Sequence, residues 1–99
     1  MKKTEKSANG TSFHNTTIKT TINELTRVLG ESTYEDNTGE DKVNIEWICE
    51  NENGDIVTIY DWKEYRVLDR DEEIEFHLGG HSQLSTFNGK EDLIALLNK

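Results

Sequence analysis

The strongest structural signal in the chain is the stretch Val43-Asn-Ile-Glu-Trp-Ile-Cys-Glu-Asn-Glu-Asn-Gly-Asp-Ile-Val-Thr-Ile-Tyr-Asp-Trp62. Apolar and polar residues alternate before and after Asn53-Gly54, and a period of two is typical of a strand with one buried face. Asn-Gly between two such segments strongly indicates a tight turn. The stretch therefore predicts an antiparallel hairpin in the middle of the chain.

A two-residue loop at Asn53-Gly54 would fix the register of this hairpin. Counting back from that loop places four large side chains on one face, with Trp47 opposite Tyr60 and Ile45 opposite Trp62. On the other face Glu46 lies opposite Asp61. Like charges in such a pair are destabilising unless a neighbouring cation or a ligand relieves them.

Helices are predicted on both sides of the hairpin. Thr21-Ile-Asn-Glu24 has the form of a capping box, and apolar residues at helical spacing follow it as far as Gly30. This pattern predicts a helix at residues 21–29. Residues 90–98 predict a second short helix, for which Asn88 is the expected N-cap.

Further strands complete the predicted sheet. Residues 73–78 alternate again and end at Gly79-Gly80, while the threonine-rich residues 11–20 are suited to an edge strand. The prediction is an α+β domain over residues 11–99: a three- or four-stranded antiparallel sheet with two short helices packed on one face. The polar residues 1–10 are predicted to be a disordered tail.

The composition limits the kinds of protein that the chain can form. Its 99 residues, of which 32% are hydrophobic, fit one small domain with one core. The single cysteine excludes an internal disulfide framework and an all-cysteine zinc site. No apolar segment approaches the ~20 residues that span a bilayer, and no apolar segment of a secretory signal follows the basic start. We therefore expect a cytoplasmic protein with no membrane contact.

The formal net charge of −9 is concentrated in the middle of the chain. Residues 1–30 carry +3, residues 31–75 carry −12, and residues 76–99 sum to zero. Such a chain is not expected to bind nucleic acid directly, because phosphates are bound by clustered Lys and Arg. The charge instead predicts a protein partner with a basic surface, since complementary fields speed association. The residues expected to face this partner are Glu46, Asp61, Asp69, Asp71, Glu72, Glu73 and Glu75.

Aromatic residues are interleaved with this charge. The candidate anchors of an interface are Tyr60, Trp62, Tyr65, Arg66 and His77. Tyr, Trp and Arg are the residue types that carry most of the binding energy in interfaces. The structural interpretation is favoured, with Tyr60 and Trp62 in the core and Asp61 and Lys63 as a solvated pair on the surface, because the predicted register places Trp62 opposite Ile45.

Evidence for a metal site or for catalysis is weak. His77 and His81 could bind a metal together with Cys49, but the two histidines flank Gly79-Gly80 at a strand end, where helical one-face geometry is not available. No nucleophile elbow and no phosphate-binding glycine loop is present. We therefore predict no metal, no cofactor and no enzymatic activity. A small-molecule or metal-dependent activity around His77 and His81 is the alternative.

Two neighbouring motifs carry a resemblance. Tyr60-Asp-Trp-Lys-Glu-Tyr65 is followed by Glu75-Phe-His-Leu-Gly-Gly-His81, and Leu29-Gly-Glu31 comes after the first helix. Residues 43–81 resemble a family of small, mostly uncharacterised bacteriophage proteins, in which Tyr-Asp-Trp-Lys precedes an aromatic-His-aliphatic-Gly-Gly segment. The chain departs from that pattern at Phe76, where the family has Trp, and it has no Pro after Glu31. The resemblance implies a phage-encoded accessory protein in the infected cell.

These observations lead to one main hypothesis and one structural alternative. The main hypothesis is a small acidic accessory protein that binds and inhibits a host protein, such as a defence or nucleic-acid-binding protein. The alternative is a virion or assembly component, or a homo-oligomer paired through the edge of its sheet.

Overall fold

Six antiparallel strands and two helices form the fold in the computed structural model, which describes residues 1–99. The strands are β1 (Lys2–Lys3), β2 (Ser12–Thr20), β3 (Tyr34–Glu35), β4 (Ile45–Glu50), β5 (Ile56–Tyr60) and β6 (Ile74–Gly80). The helices are α1 (Ile22–Leu29) and α2 (Gln83–Leu97). The strand order is β1-β4-β5-β6-β2, and β3 also pairs with β4. The predicted α+β class and antiparallel sheet are confirmed, but the sheet has more strands than predicted.

The two additional strands are both short and both pair with β4. Lys2–Lys3 pairs with the end of β4 at Cys49 and Glu50, and Tyr34–Glu35 pairs with its start. The ammonium groups of Lys2 and Lys6 also lie 3.6 and 2.9 Å from the Glu50 carboxylate. The structure thus places a strand in the amino-terminal segment that the sequence predicts as disordered. A strand of two residues is too short to show a periodic pattern in the sequence. The edge of β4 provides the backbone N–H and C=O groups with which β1 and β3 pair.

The loop of the β4–β5 hairpin has three residues instead of the predicted two. The amide of Asn51 donates to the carbonyl of Asp55 at 3.0 Å, which leaves residues 52–54 in the loop. Gly54 has a φ of 83°, as the left-handed position of a three-residue hairpin requires. The side-chain oxygen of Asn51 accepts from the amides of Asn53 and Asp55 at 2.9 and 3.0 Å and holds the turn together.

The longer loop moves the register by one residue. Trp47 lies opposite Ile59, and Glu46 lies opposite Tyr60. The predicted pairs Trp47–Tyr60, Ile45–Trp62 and Glu46–Asp61 are therefore wrong. Because side chains alternate between faces, the shift also moves Tyr60 to the opposite face from Trp47.

One face of the sheet is covered by both helices and holds the core. The core side chains from the sheet are Ile18, Ile45, Trp47, Cys49, Val57, Ile59, Ile74, Phe76 and Leu78, and those from the helices are Ile22, Leu25, Leu29 and Leu93. Trp47 packs edge-on to Phe76 with ring centroids 6.3 Å apart, an arrangement that aromatic pairs favour. The indole Nε1 of Trp47 donates to the carbonyl of Gly30 at 3.0 Å and joins β4 to the end of α1.

Helix α1 begins and ends where the sequence predicts. Thr21 Oγ1 accepts from the amide of Glu24 at 3.0 Å, and Gly30 ends the helix with a φ of 86°. The carboxylate of Glu24 binds Arg27 instead of completing the capping box.

Helix α2 begins at Gln83, well before the predicted start, and Ser82 replaces Asn88 as its N-cap. Its first half packs on the sheet through small residues. Thr86 Oγ1 lies 2.6 Å from Thr16 Oγ1, and a Cβ on Gly89 would lie 2.8 Å from the methyl groups of Val57. Because small residues give no apolar periodicity, the sequence predicts only the second half of helix α2. Neither helix is long and apolar enough to cross a membrane.

The buried carboxylate of Asp61 joins the segment after β5 to the start of β4 through hydrogen bonds. Its Oδ1 accepts from the backbone amides of Asn44 and Ile45 at 2.8 and 3.0 Å. Its Oδ2 accepts from the side-chain amide of Asn44 at 2.9 Å. Asp61 and Asn44 are both fully buried, so these bonds replace water that is excluded from both groups.

Removing the Asp61 carboxylate should strongly destabilise the protein. Asp61→Ala leaves three buried N–H groups without this acceptor, and we expect the free energy of unfolding to fall by about 3–5 kcal/mol. Asp61→Asn keeps one acceptor oxygen and should lose less. Urea denaturation followed by tryptophan fluorescence measures both values. The exposed Glu73→Ala is the control and should change stability by less than about 0.5 kcal/mol; equal losses in the Asp61→Ala and Glu73→Ala variants would contradict the role of Asp61.

Candidate functional site

Most of the negative charge lies at one end of the sheet. β4 begins and β5 ends at this end, and β6 also begins there, so residues 31–44 and 61–73 both extend from it. We call these two segments the acidic end. They contain eleven acidic and four basic side chains, a net charge of −7 out of −9 for the whole chain. The sequence shows the acidic segment, and the fold brings its two parts together.

The two segments of the acidic end are bound to each other. Asn37 donates from Nδ2 to the carbonyl of Leu68 at 2.9 Å and accepts from the Leu68 amide at 2.7 Å. Asn44 donates to the carbonyl of Arg66 at 3.2 Å. Gly39 has a φ of 82° and lies so close to Arg66 that a Cβ would be 2.7 Å from its backbone. These contacts fix the backbone of both segments, from which the charged side chains project.

The acidic residues predicted to face a partner have different environments. Asp61 is buried in the network described above, so its prediction as a surface residue is wrong. Glu72 forms two hydrogen bonds with Arg66, at 2.7 and 2.6 Å, and these bonds lower the pKa of the Glu72 carboxyl. Asp71 accepts from the side chain of Asn23, and Asp69 accepts from the Asp71 amide.

Three other predicted residues make no ion pair within the chain. Glu73 and Glu75 are exposed, and Glu46 is partly buried. Glu73 belongs to the acidic end, whereas Glu75 and Glu46 lie on the sheet face opposite the helices, which we call the open face. The predicted acidic surface is thus divided between the acidic end and the open face.

A row of side chains crosses the open face at one register position. Tyr34 of β3 lies opposite Glu46 of β4, Glu46 opposite Tyr60 of β5, and Tyr60 opposite His77 of β6. Burial raises the pKa of the Glu46 carboxyl. Burial and the charge of Glu46 raise the pKa of the Tyr60 hydroxyl. Glu46 therefore sits between two tyrosines and has no basic partner.

Aromatic rings cover the other end of this row. The ring of His77 stacks on Phe13 at 4.0 Å and on Trp62 at 6.1 Å between centroids, and Tyr60 meets His77 and Trp62 edge-on. The ammonium groups of Lys42 and Lys63 lie 6.0 and 5.6 Å from the Trp62 ring. Trp62 is 40% exposed and lies outside the core, so its predicted core position is wrong. These rings pack mainly on one another.

The remaining candidate anchors, Tyr65 and Arg66, lie in the acidic end. The guanidinium of Arg66 is occupied by Glu72 and Glu64. Tyr65 is 53% exposed and has a φ of 51°, and Lys63 has a φ of 55°. Such left-handed backbone is unusual for residues other than glycine. Tyr65 is one of the residues that line a cleft beside the open face.

This cleft is an open depression in the surface with a volume of about 630 Å³. Its lining combines the aromatic rings of Tyr34 and Tyr65 with the carboxylates of Glu40, Asp41 and Glu46, and includes Lys42 and Val43. Tyr34, Glu40 and Asp41 are not among the site residues that the sequence predicts, because residues 31–41 show no periodicity. The negative charge of Glu40 and Asp41 is the one signal that the sequence offers for them, and it offers none for Tyr34.

The structure does not bring together the residues considered as metal ligands. Cys49 is buried in the core, where burial raises the pKa of its thiol to about 12, while His77 lies on the open face. No group of three or more His, Cys, Asp or Glu side chains has an arrangement that could hold a metal ion.

No protein-family model matches this chain, and no curated protein or solved structure is significantly similar to it. The acidic end, the aromatic rings on the open face and the cleft beside them are therefore the features from which a function has to be inferred.

The stacked histidine makes stability depend on pH. Burial lowers the pKa of His77 against the opposing effect of Glu75, so the unfolded chain gains this proton before the folded protein does. The free energy of unfolding should therefore decrease as the pH falls below about 6.5, the ordinary histidine value. Denaturation at about pH 7.5 and about pH 5.5 measures this decrease. His77→Gln should reduce it, whereas the exposed control His81→Gln should retain it; the same decrease in the wild type and in His77→Gln would contradict the role of His77.

Proposed function

We propose that this protein is a small acidic binding protein whose acidic end docks onto a basic surface of another protein and blocks it. The observation that carries this proposal is the net charge of −7 that residues 31–44 and 61–73 share at one end of the molecule. A focused field of one sign attracts a complementary surface and raises the rate of association.

The rigidity of the acidic end supports a role in binding. Like charges repel, so their concentration opposes folding unless other contacts hold the segments in place. Here the contacts are Asp61 with Asn44, Asn37 with Leu68, and Gly39 with Arg66. A surface that is already ordered loses less conformational entropy when a partner binds. Charge that served solubility alone would not need an ordered backbone beneath it.

The motif resemblance supports a host protein as the partner. In small phage-type proteins of this kind, an acidic surface would cover the basic surface with which a defence or nucleic-acid-binding protein contacts nucleic acid. Carboxylates on a rigid scaffold present negative charge as phosphates do, so occupation of that surface would inhibit the host protein. This mode of action requires no catalytic group and no cofactor.

Neutralising the acidic end should weaken binding to a partner. The variant Glu40→Gln/Asp41→Asn/Glu73→Gln removes three exposed charges that make no ion pair. The partner is recovered from a bacterial lysate with the wild-type protein, identified and purified, and its affinity is measured at about 0.1 M and about 0.4 M salt. We expect the variant to bind about tenfold more weakly at the lower salt and to respond less to salt.

The matched control is Glu5→Gln/Asp55→Asn/Glu91→Gln, which removes the same charge from exposed positions outside the acidic end. It should bind within about twofold of the wild type at the same salt. Equal weakening by both variants would show that only net charge matters and would contradict the proposal, as would salt-independent binding or the failure to retain any partner. Thermal unfolding of both variants confirms that each is folded.

A further inference from the structure

We infer that the cleft lined by Tyr34, Tyr65 and Glu46 is a binding site for the guanidinium group of an arginine side chain. The inference rests on the proposed function, because that arginine would belong to the basic surface of the partner. It adds a specific contact to an attraction that is otherwise only electrostatic.

The walls of the cleft suit a flat cation. Tyr34 and Tyr65 contribute exposed aromatic rings, and Glu46 lies beside Tyr34 in the row across the open face. Glu40 and Asp41 contribute two more carboxylates to the same cleft. A guanidinium can stack its flat face on an aromatic ring while its N–H groups bind a carboxylate, which a compact ammonium cannot do equally well.

The carboxylates of the cleft have no cation from their own chain. Neighbouring acidic residues in the acidic end do have one, since Glu72 binds Arg66 and Glu35 lies 3.4 Å from Arg70. Glu40, Asp41 and Glu46 form no such ion pair. Lys42 is the one basic residue of the lining, and its ammonium lies near the Trp62 ring. The cleft thus retains negative charge that an external cation can neutralise.

The position of Glu46 makes it the central residue of the site. It projects from β4, the first strand of the β4–β5 hairpin, and it is partly buried between Tyr34 and Tyr60. A carboxylate removed from water in this way gains more from a bound cation than an exposed one does. The other two carboxylates are exposed and can adjust to the ligand.

The test uses the wild-type protein and three short peptides with the sequence acetyl-Gly-X-Gly-amide. X is arginine, its neutral isostere citrulline, or lysine, and binding is followed by changes in the amide NMR signals of residues 34, 40–46 and 65. We expect saturable changes at these positions with the arginine peptide and at least about tenfold weaker binding of the citrulline peptide. The lysine peptide should bind about threefold more weakly than the arginine peptide or worse.

Protein variants locate the site. Glu46→Gln should weaken binding of the arginine peptide at least about fivefold, and Tyr65→Asn, which tolerates the left-handed backbone, should weaken it by a similar factor. Glu75→Gln, on the open face outside the cleft, should leave the affinity within about twofold. Equal binding of arginine and citrulline peptides, equal binding of arginine and lysine peptides, or no effect of Glu46→Gln would each overturn the inference.

Failure of this inference can be told apart from failure of the proposed function. If the arginine peptide does not bind the cleft while neutralisation of Glu40, Asp41 and Glu73 still releases the partner, the acidic end acts without an arginine site. If the peptide binds the cleft but the neutralised variant holds the partner as tightly as the wild type does, the proposed docking function is wrong.

Discussion

The buried carboxylate of Asp61 is the contact on which the arrangement of the charged surface depends. Its two oxygens accept from the backbone of Asn44 and Ile45 and from the side chain of Asn44, and Asn44 in turn holds Arg66 and Gly39. One buried pair thereby joins both segments of the acidic end to the sheet. A carboxylate without water is stable only when its oxygens are fully hydrogen-bonded, so the network forms as a unit.

The sequence predicts the elements of the fold better than their register. Alternation identifies β4, β5 and β6, and the Thr21 cap with Gly30 delimits α1, because these signals are local. The register depends on the length of the hairpin loop. The Asn51 side chain stabilises a three-residue loop, whereas Asn53-Gly54 predicts a two-residue loop. The strands β1 and β3 form by pairing with the edge of β4, so no local pattern in the sequence predicts them.

The candidate site could be predicted only in outline. The concentration of charge in residues 31–75 is visible in the sequence, but its convergence depends on contacts such as Asn37 with Leu68 that join distant segments. Nothing in the sequence separates the buried Asp61 from exposed aspartates such as Asp69. The one-residue register shift also places Tyr60 on the open face instead of in the core, which changes the neighbours of Glu46. The cleft follows from these long-range contacts.

Hydrogen exchange of the Asn44 and Ile45 amides tests most directly whether Asp61 holds the acidic end in place. If the carboxylate accepts from both amides in the folded protein, they should exchange as slowly as the amide of Ile59 in the central strand β5, through global unfolding. Exchange as fast as that of the exposed Asp41 amide would contradict this, because the two segments would then open independently of the core.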